Sequence, residues 1–229
     1  QWLREQAGEL GVDPGRIAVG GASAGGALAD SVVLRGVGAG ISPWQALLVY
    51  PACHADVPTH ISDELMATLA RTPEALLFGH DESFTLNYLG GPIASATGDA
   101  FPSLAESLAD FPPTYIENAE FDSLRASGEA FAAQLTAAGV EVELVTACGV
   151  PHGHLNDVGL PQAVQTCERL ARRLTAPAAS TESASAVSDG QVGTHSFAPD
   201  LLALLAARVD ETLQRWARRR AERLFVTRE

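Results

Sequence analysis

Apolar positions along the chain gather into short runs bounded by glycine or proline, with longer segments of helical spacing between them. Arg16 to Ala22 carries Ile17-Ala18-Val19, Gln45 to Tyr50 carries Ala46-Leu47-Leu48-Val49, and Pro113 to Ala119 carries Tyr115 and Ile116. Such runs, roughly four to eight residues long and ended by a turn-former such as Pro51, predict buried strands. Val140 to Thr146 alternates aliphatic residues with Glu141 and Glu143 at period two, which predicts a fourth strand. Helices are predicted over Ala24 to Arg35, over Ser123 to Ala138 with Leu124, Phe131 and Leu135 on one face, and over Gln162 to Leu174. Gln1 to Leu10 reads as the end of an amphipathic helix closed by Gly11, Asp13-Pro14-Gly15 as a turn, and Gly36 to Ser42 and Cys148 to Pro161 as loops. Strands alternating with helices predict an α/β fold, a parallel sheet flanked by helices.

Two stretches depart from this rhythm. Residues 53–110 show weaker periodicity, with helical pieces predicted at Asp63–Ala70, Pro73–Phe78 and Glu82–Leu89 and breaks at Gly90-Gly91-Pro92 and near Pro102. A region of this kind in an α/β protein is expected to wall a pocket. Beyond Leu174 the chain turns to Ala, Ser, Thr and Pro, so residues 175–199 read as a flexible linker after a domain of residues 1–174. Residues 200–226 then read as one long helix with Leu202, Leu205, Val209, Leu213 and Trp216 on a single face. Two readings of the terminal segment, residues 200–229, stand side by side. It either mediates homo-oligomerisation or partner docking, or it packs back on its own domain.

Charge narrows the partners. The net charge of −13 and pI near 4.8 argue against nucleic acid and anionic membrane surfaces. All 15 basic residues are arginine, so a phosphate-binding G-x-x-x-x-G-K-[ST] loop cannot occur. Cys53, Cys148 and Cys167 lie far apart, which suggests no disulfide framework or zinc site and fits a reducing, cytoplasmic compartment. No run approaches the roughly 18–20 apolar residues of a membrane span. Neither a metal nor a cofactor is expected.

The candidate chemistry starts at Gly21-Ala22-Ser23-Ala24-Gly25, a G-x-S-x-G pattern set between a predicted strand and a predicted helix. That context suits a sharp turn presenting a nucleophilic serine, with glycines where side chains would strike the adjoining strand and helix. A serine hydroxyl needs a histidine base within hydrogen-bond reach and an acid to orient that histidine. Asp122 follows the third predicted strand and His152 follows the fourth, in the order Ser, acid, His. Glu120 is a rival acid, His154 is a rival base, and Asp122 has an alternative role capping the helix that begins at Ser123. His54, His60, His80 and His195 fall on weakly patterned segments and read as ordinary polar residues.

Over about residues 1–174 the chain resembles the hormone-sensitive-lipase-like branch of the α/β-hydrolases, bacterial carboxylesterases that cleave short acyl esters. Leu10-Gly11-Val12-Asp13-Pro14, Ser23-Ala24-Gly25-Gly26, Tyr50-Pro51, Glu120-Phe121-Asp122-Ser123-Leu124-Arg125 and His152-Gly153 carry the resemblance. It implies Ser23 as nucleophile, Asp122 as orienting acid, His152 as general base and the Ala24 backbone N–H as one oxyanion donor, acting on a small ester. A serine peptidase or amidase on the same scaffold is the neighbouring alternative. Ala22 stands where the family usually has Asp, and the family's His-Gly-Gly-Gly oxyanion loop occurs nowhere in the sequence. With 22 residues before Ser23, the expectation is an N-terminally truncated copy whose first strand lies at a sheet edge. Its alternative role is that of a catalytically impaired binding or assembly module.

Overall fold

Four of the predicted apolar runs become strands of one parallel sheet. A computed structural model describes residues 1–56, 61–70 and 82–175. The strands are β1 (Val19–Ala22), β2 (Ala46–Val49), β3 (Thr114–Phe121) and β4 (Val142–Pro151), and they lie in sequence order across the sheet. The register runs Ala22↔Val49, Val49↔Glu117 and Glu117↔Val145, so all four carboxyl ends open along the same edge. The helices are α1 (Trp2–Glu5), α2 (Ala7–Leu10), α3 (Ala24–Gly38), α4 (Asp63–Leu69), α5 (Ser83–Leu89), α6 (Arg125–Ala137) and α7 (Pro161–Thr175).

Alternation along the strands divides the core between the two faces. On one face Ala46, Leu48 and Ile116 pack against Ala29 and Val33 of α3 and Phe131 and Leu135 of α6. On the other, Val49, Tyr50, Ala119 and Val150 pack with Leu170 of α7. Glu117, in the middle of β3, sits fully buried on this second face. Its carboxylate takes a bidentate pair from Arg169 of α7 (Nε 2.9 Å, Nη2 2.6 Å) and accepts from the hydroxyls of Thr166 and Tyr115. A buried charge is tolerated when it is paired and its lone pairs are filled in this way.

Some element boundaries differ from the sequence reading. The amino-terminal helix breaks at Gln6 into two single turns, and Ala7 is the one residue of the two that is buried. Turns with so little packing gain almost nothing from tertiary contacts. β1 starts at Val19 and not at Arg16, because the Arg16 N–H closes the turn onto the Asp13 carbonyl (3.1 Å). β4 continues past Thr146 through residues expected in a loop. Its pairing with β3 persists to Ala119↔Ala147 and, after a bulge, resumes at Phe121↔Pro151. α6 begins at Arg125, with Leu124 as its N-cap. As expected, β1 pairs with β2 alone among the described residues, and beside it lies an apolar groove lined by Ile17, Val19, Val32 and Ile41. The expected helical piece 73–78, His60, His80, His195, the linker from residue 176 onward and the helix 200–226 lie outside the described residues.

The turn between β1 and α3 shows which glycines its geometry needs. A Cβ on Gly21 would fall 2.1 Å from the Gly25 carbonyl oxygen, and one on Gly26 would fall 2.8 Å from Pro51 Cβ. A Cβ on Gly25 would meet nothing within 4 Å, contrary to the expectation of a collision on that side. Gly21→Ala is therefore expected to lower unfolding stability by about 1–3 kcal/mol, since backbone atoms cannot swing away. Gly25→Ala is expected to be neutral or stabilising by up to about 1 kcal/mol, as for a glycine replaced within a helix. Urea midpoints of the two variants against the parent check both.

Candidate active site

Ser23 leaves β1 with φ 58° and ψ −125°, one of two non-glycine residues with positive φ among those described. A residue held there costs on the order of 1–3 kcal/mol and persists only if its surroundings enforce it. They do: its N–H donates to the Val49 carbonyl of β2 (2.9 Å), and its own carbonyl accepts from the Gly26 N–H (2.9 Å). The turn lifts the Ser23 side chain above the carboxyl edge of the sheet. Ala24 is the first residue of α3, so its N–H belongs to the opening turn of a helix, whose amides have no intrahelical acceptor.

Asp122 and His152 arrive from β3 and β4 at the same edge. Asp122 is buried, and its two oxygens have separate tasks. Oδ1 accepts the Leu124 N–H (2.9 Å), and Oδ2 lies 2.7 Å from His152 Nδ1. One oxygen thus braces the turn ahead of α6 and the other meets His152. The expected alternative of Asp122 as helix cap is not found, because the helix starts at Arg125 with Leu124 as its N-cap and no side-chain cap. His152 Nε2 lies 2.8 Å from Ser23 Oγ. A carboxylate only accepts, so Nδ1 carries the ring proton; Nε2 is then the acceptor for the Ser23 hydroxyl.

The rival residues are committed elsewhere. Glu120 Oε2 accepts the Gly149 N–H at 2.6 Å, across the bulge between β3 and β4, and so braces the strand end that carries His152. His154 is buried with Nε2 3.1 Å from the Thr166 hydroxyl, and burial pushes its pKa down. It faces the α7 side, behind Tyr50, and not Ser23.

His54, expected as an ordinary polar residue on a weakly patterned segment, is part of a buried polar cluster. It is buried just beyond β2, with Nδ1 2.9 Å from the Ser127 hydroxyl. That hydroxyl oxygen also accepts the N–H groups of Cys53 (2.9 Å) and His54 (3.1 Å), so its proton is directed to Nδ1. Asp30 of α3 joins this cluster through the Cys53 thiol (3.5 Å), and burial pushes its carboxyl well above the usual range. These groups support the segment that follows β2. The sequence carried no signal for them beyond polar residues at helix positions that should face the sheet. Tyr50 was also missed as a site residue. It was read as a strand end, yet its ring lies against His152, with centroids 4.8 Å apart and planes at 61°.

Residues 1–156 match the family model described as alpha/beta hydrolase fold. The esterase LipI of Mycobacterium tuberculosis is 32% identical over 173 residues, which cover 74% of this chain and 52% of that protein. The carboxylesterase NlhH of the same organism is 35% identical over 169 residues, covering 68% of this chain and 49% of that protein. Among solved structures, a bacterial heroin esterase superposes with a TM-score of 0.62 at 32% identity, covering 77% of this chain and 57% of the other. An esterase of Pyrobaculum calidifontis gives a TM-score of 0.66 at 29% identity, covering 76% of this chain and 56% of the other. The chain spans about half the length of these relatives. With its parallel sheet, its serine on a strained turn and this match over residues 1–156, the chain belongs to the α/β-hydrolase fold family, in the hormone-sensitive-lipase-like branch of bacterial esterases.

Proposed function

We propose that this chain carries the catalytic triad of a serine carboxylesterase and cleaves short-chain carboxylic esters through an acyl-enzyme on Ser23. The observation that carries the reading is the hydrogen-bonded series Ser23 Oγ, His152 Nε2 and His152 Nδ1, Asp122 Oδ2, at 2.8 and 2.7 Å. In this mechanism Ser23 Oγ attacks the ester carbonyl carbon while His152 Nε2 takes its proton. Asp122 holds the imidazole in the required tautomer and stabilises the imidazolium. The Ala24 N–H, at the head of α3, faces the oxyanion as it forms. His152 then returns the proton to the departing alkoxide and the alcohol leaves. Water repeats the sequence on the acyl-enzyme, releasing the carboxylic acid and restoring Ser23. The named esterase relatives support a small ester as substrate, and a cytoplasmic setting fits three cysteines that are free in the fold.

A fluorophosphonate probe tests this, because it reacts only with a serine activated as described. The 229-residue chain is expected to take up one phosphonyl group per molecule, on the peptide that contains Ser23. A folded chain that leaves Ser23 unlabelled would overturn the reading.

A further inference from the structure

Ser23, Asp122 and His152 stand at the ends of three different strands, so the distances between them depend on how those ends are held together. From β1 to β2 and from β2 to β3 the pairing is regular up to that edge, through Ala22↔Val49 and Val49↔Glu117. Between β3 and β4, the strands that lead to Asp122 and His152, it is not. The pairs run to Ala119↔Ala147 and resume at Phe121↔Pro151, so Cys148, Gly149 and Val150 all lie opposite Glu120. A bulge of this kind interrupts the ladder and bends the strand that carries it. Here the interruption falls immediately before His152.

A glycine and a carboxylate meet in the gap. Gly149 has φ 74°, a left-handed conformation that glycine adopts without a side-chain clash. Its N–H, outside the paired residues, donates to Glu120 Oε2 at 2.6 Å. Val150 beside it is fully buried, but apolar packing is non-directional and does not fix how far the segment slides along β3. A hydrogen bond to an ionised group is short and directional, and this one ties the middle of the bulge to β3. Glu120 and Asp122 therefore act on the same stretch from positions two residues apart. Glu120 holds its backbone three residues before His152, and Asp122 Oδ2 holds the His152 ring at 2.7 Å. Asp122 cannot follow a displaced imidazole without giving up the Leu124 N–H on its other oxygen (2.9 Å). The ring has further neighbours, Tyr50 among them; Glu120 acts instead on the backbone from which the ring is presented.

We propose that Glu120 is a positioning residue for the triad: by bridging the β3–β4 bulge to the Gly149 N–H, it sets the separation of the two strand ends that bring Asp122 and His152 to Ser23. This rests on the esterase reading and deepens it. Glu120 touches no reacting atom, and what the bridge requires is an acceptor oxygen at that reach.

The test compares three substitutions in the full chain. Glu120→Gln keeps the oxygen in place, Glu120→Ala removes it, and Glu120→Asp keeps the charge but ends one methylene short. Fluorophosphonate labelling kinetics, the low-field Nδ1 proton of His152 by NMR, and circular dichroism are read for each. Glu120→Gln is expected to label at close to the parent rate. Glu120→Ala and Glu120→Asp, with unchanged circular dichroism spectra, are expected to label about 10- to 100-fold more slowly, the cost of an ångström-scale misplacement. Their loss should fall on the maximal labelling rate and not on the half-saturating probe concentration, and their Nδ1 proton signal should broaden or shift. Glu120→Ala labelling as fast as the parent, or Glu120→Gln labelling as slowly as Glu120→Ala, would overturn the assignment. If Glu120→Ala does not fold, Glu120→Asp decides: slow labelling supports the bridge, and labelling at the parent rate defeats it. A parent chain unlabelled at Ser23 would instead defeat the esterase reading. The Nδ1 proton then still decides for Glu120, which is supported if the signal survives in Glu120→Gln but not in Glu120→Asp, and defeated if the two variants match.

Discussion

If the proposed mechanism holds, Ser23→Ala is expected to abolish fluorophosphonate labelling and to reduce ester turnover to at most the residual about 10³–10⁴-fold acceleration over water that binding and oxyanion donors supply in triad hydrolases. No other hydroxyl is expected to substitute, because no other described hydroxyl has an imidazole nitrogen and a buried carboxylate in series behind it. Ser127 also bonds a histidine, but its proton is held by His54 within the core. The acids separate in the same assay. Asp122→Asn cannot hold Nδ1 protonated as a carboxylate does, and turnover should fall by about 10⁴-fold. Glu120→Gln still offers an oxygen to the Gly149 N–H and should label at close to the parent rate. Stopped-time labelling followed by mass spectrometry, with p-nitrophenyl acetate hydrolysis in parallel, measures the whole series. Equal losses for the Asp122 and Glu120 variants would mean that the acid has been misassigned.

Arg169→Met should be the most damaging single change to stability away from the site. Glu117 is fully buried and Arg169 is mostly covered, so the substitution strips a buried carboxylate of its counter-ion and of two of its hydrogen bonds. Breaking such a pair from one side costs about 3–5 kcal/mol. The pH dependence makes the prediction specific. Burial alone would raise the Glu117 pKa, but hydrogen bonds from Arg169, Thr166 and Tyr115 outweigh it and hold the carboxyl below its ordinary value. A group depressed on folding contributes stability above its unfolded pKa of about 4.3 and loses it as pH falls through the folded value. Without Arg169 burial prevails, so Glu117 is expected to bind a proton on folding. The variant's deficit should then be largest near neutral pH and shrink as the solution is acidified. Denaturant melts of parent and variant between pH 7 and the acid limit of folding would show this. A deficit that stayed constant with pH would indicate that Arg169 acts only through packing.

The reach of sequence reasoning here follows from the kind of interaction involved. The parallel sheet was legible because continuous apolar runs such as Ala46–Val49 can be buried on both faces only between helices, and Ala46, Leu48 and Val49 are indeed in the core. Ser23, Asp122 and His152 were legible because each follows a strand, and in a parallel sheet every strand delivers its next residue to one edge. Chain order alone therefore placed three distant residues side by side. It could not choose between Asp122 and Glu120, or between His152 and His154. Two residues along a strand or turn separate each pair, and only the fold shows that Asp122 meets His152 beside Ser23 while Glu120 meets the Gly149 N–H and His154 meets Thr166. Nor could it show that Gly25 has room for a side chain while Gly21 has none, since that depends on how closely one backbone passes another. Tyr50 and His54 escaped notice because their partners, His152 and Ser127, are 102 and 73 positions away in the chain. The local pattern of apolar and polar residues determined the strands, the main helices and their order, and the motif and chain order brought the candidates Ser23, Asp122 and His152 to one sheet edge. Only the packed structure decided which polar groups meet, because hydrogen bonds and ring contacts depend on ångström distances that residue spacing does not encode.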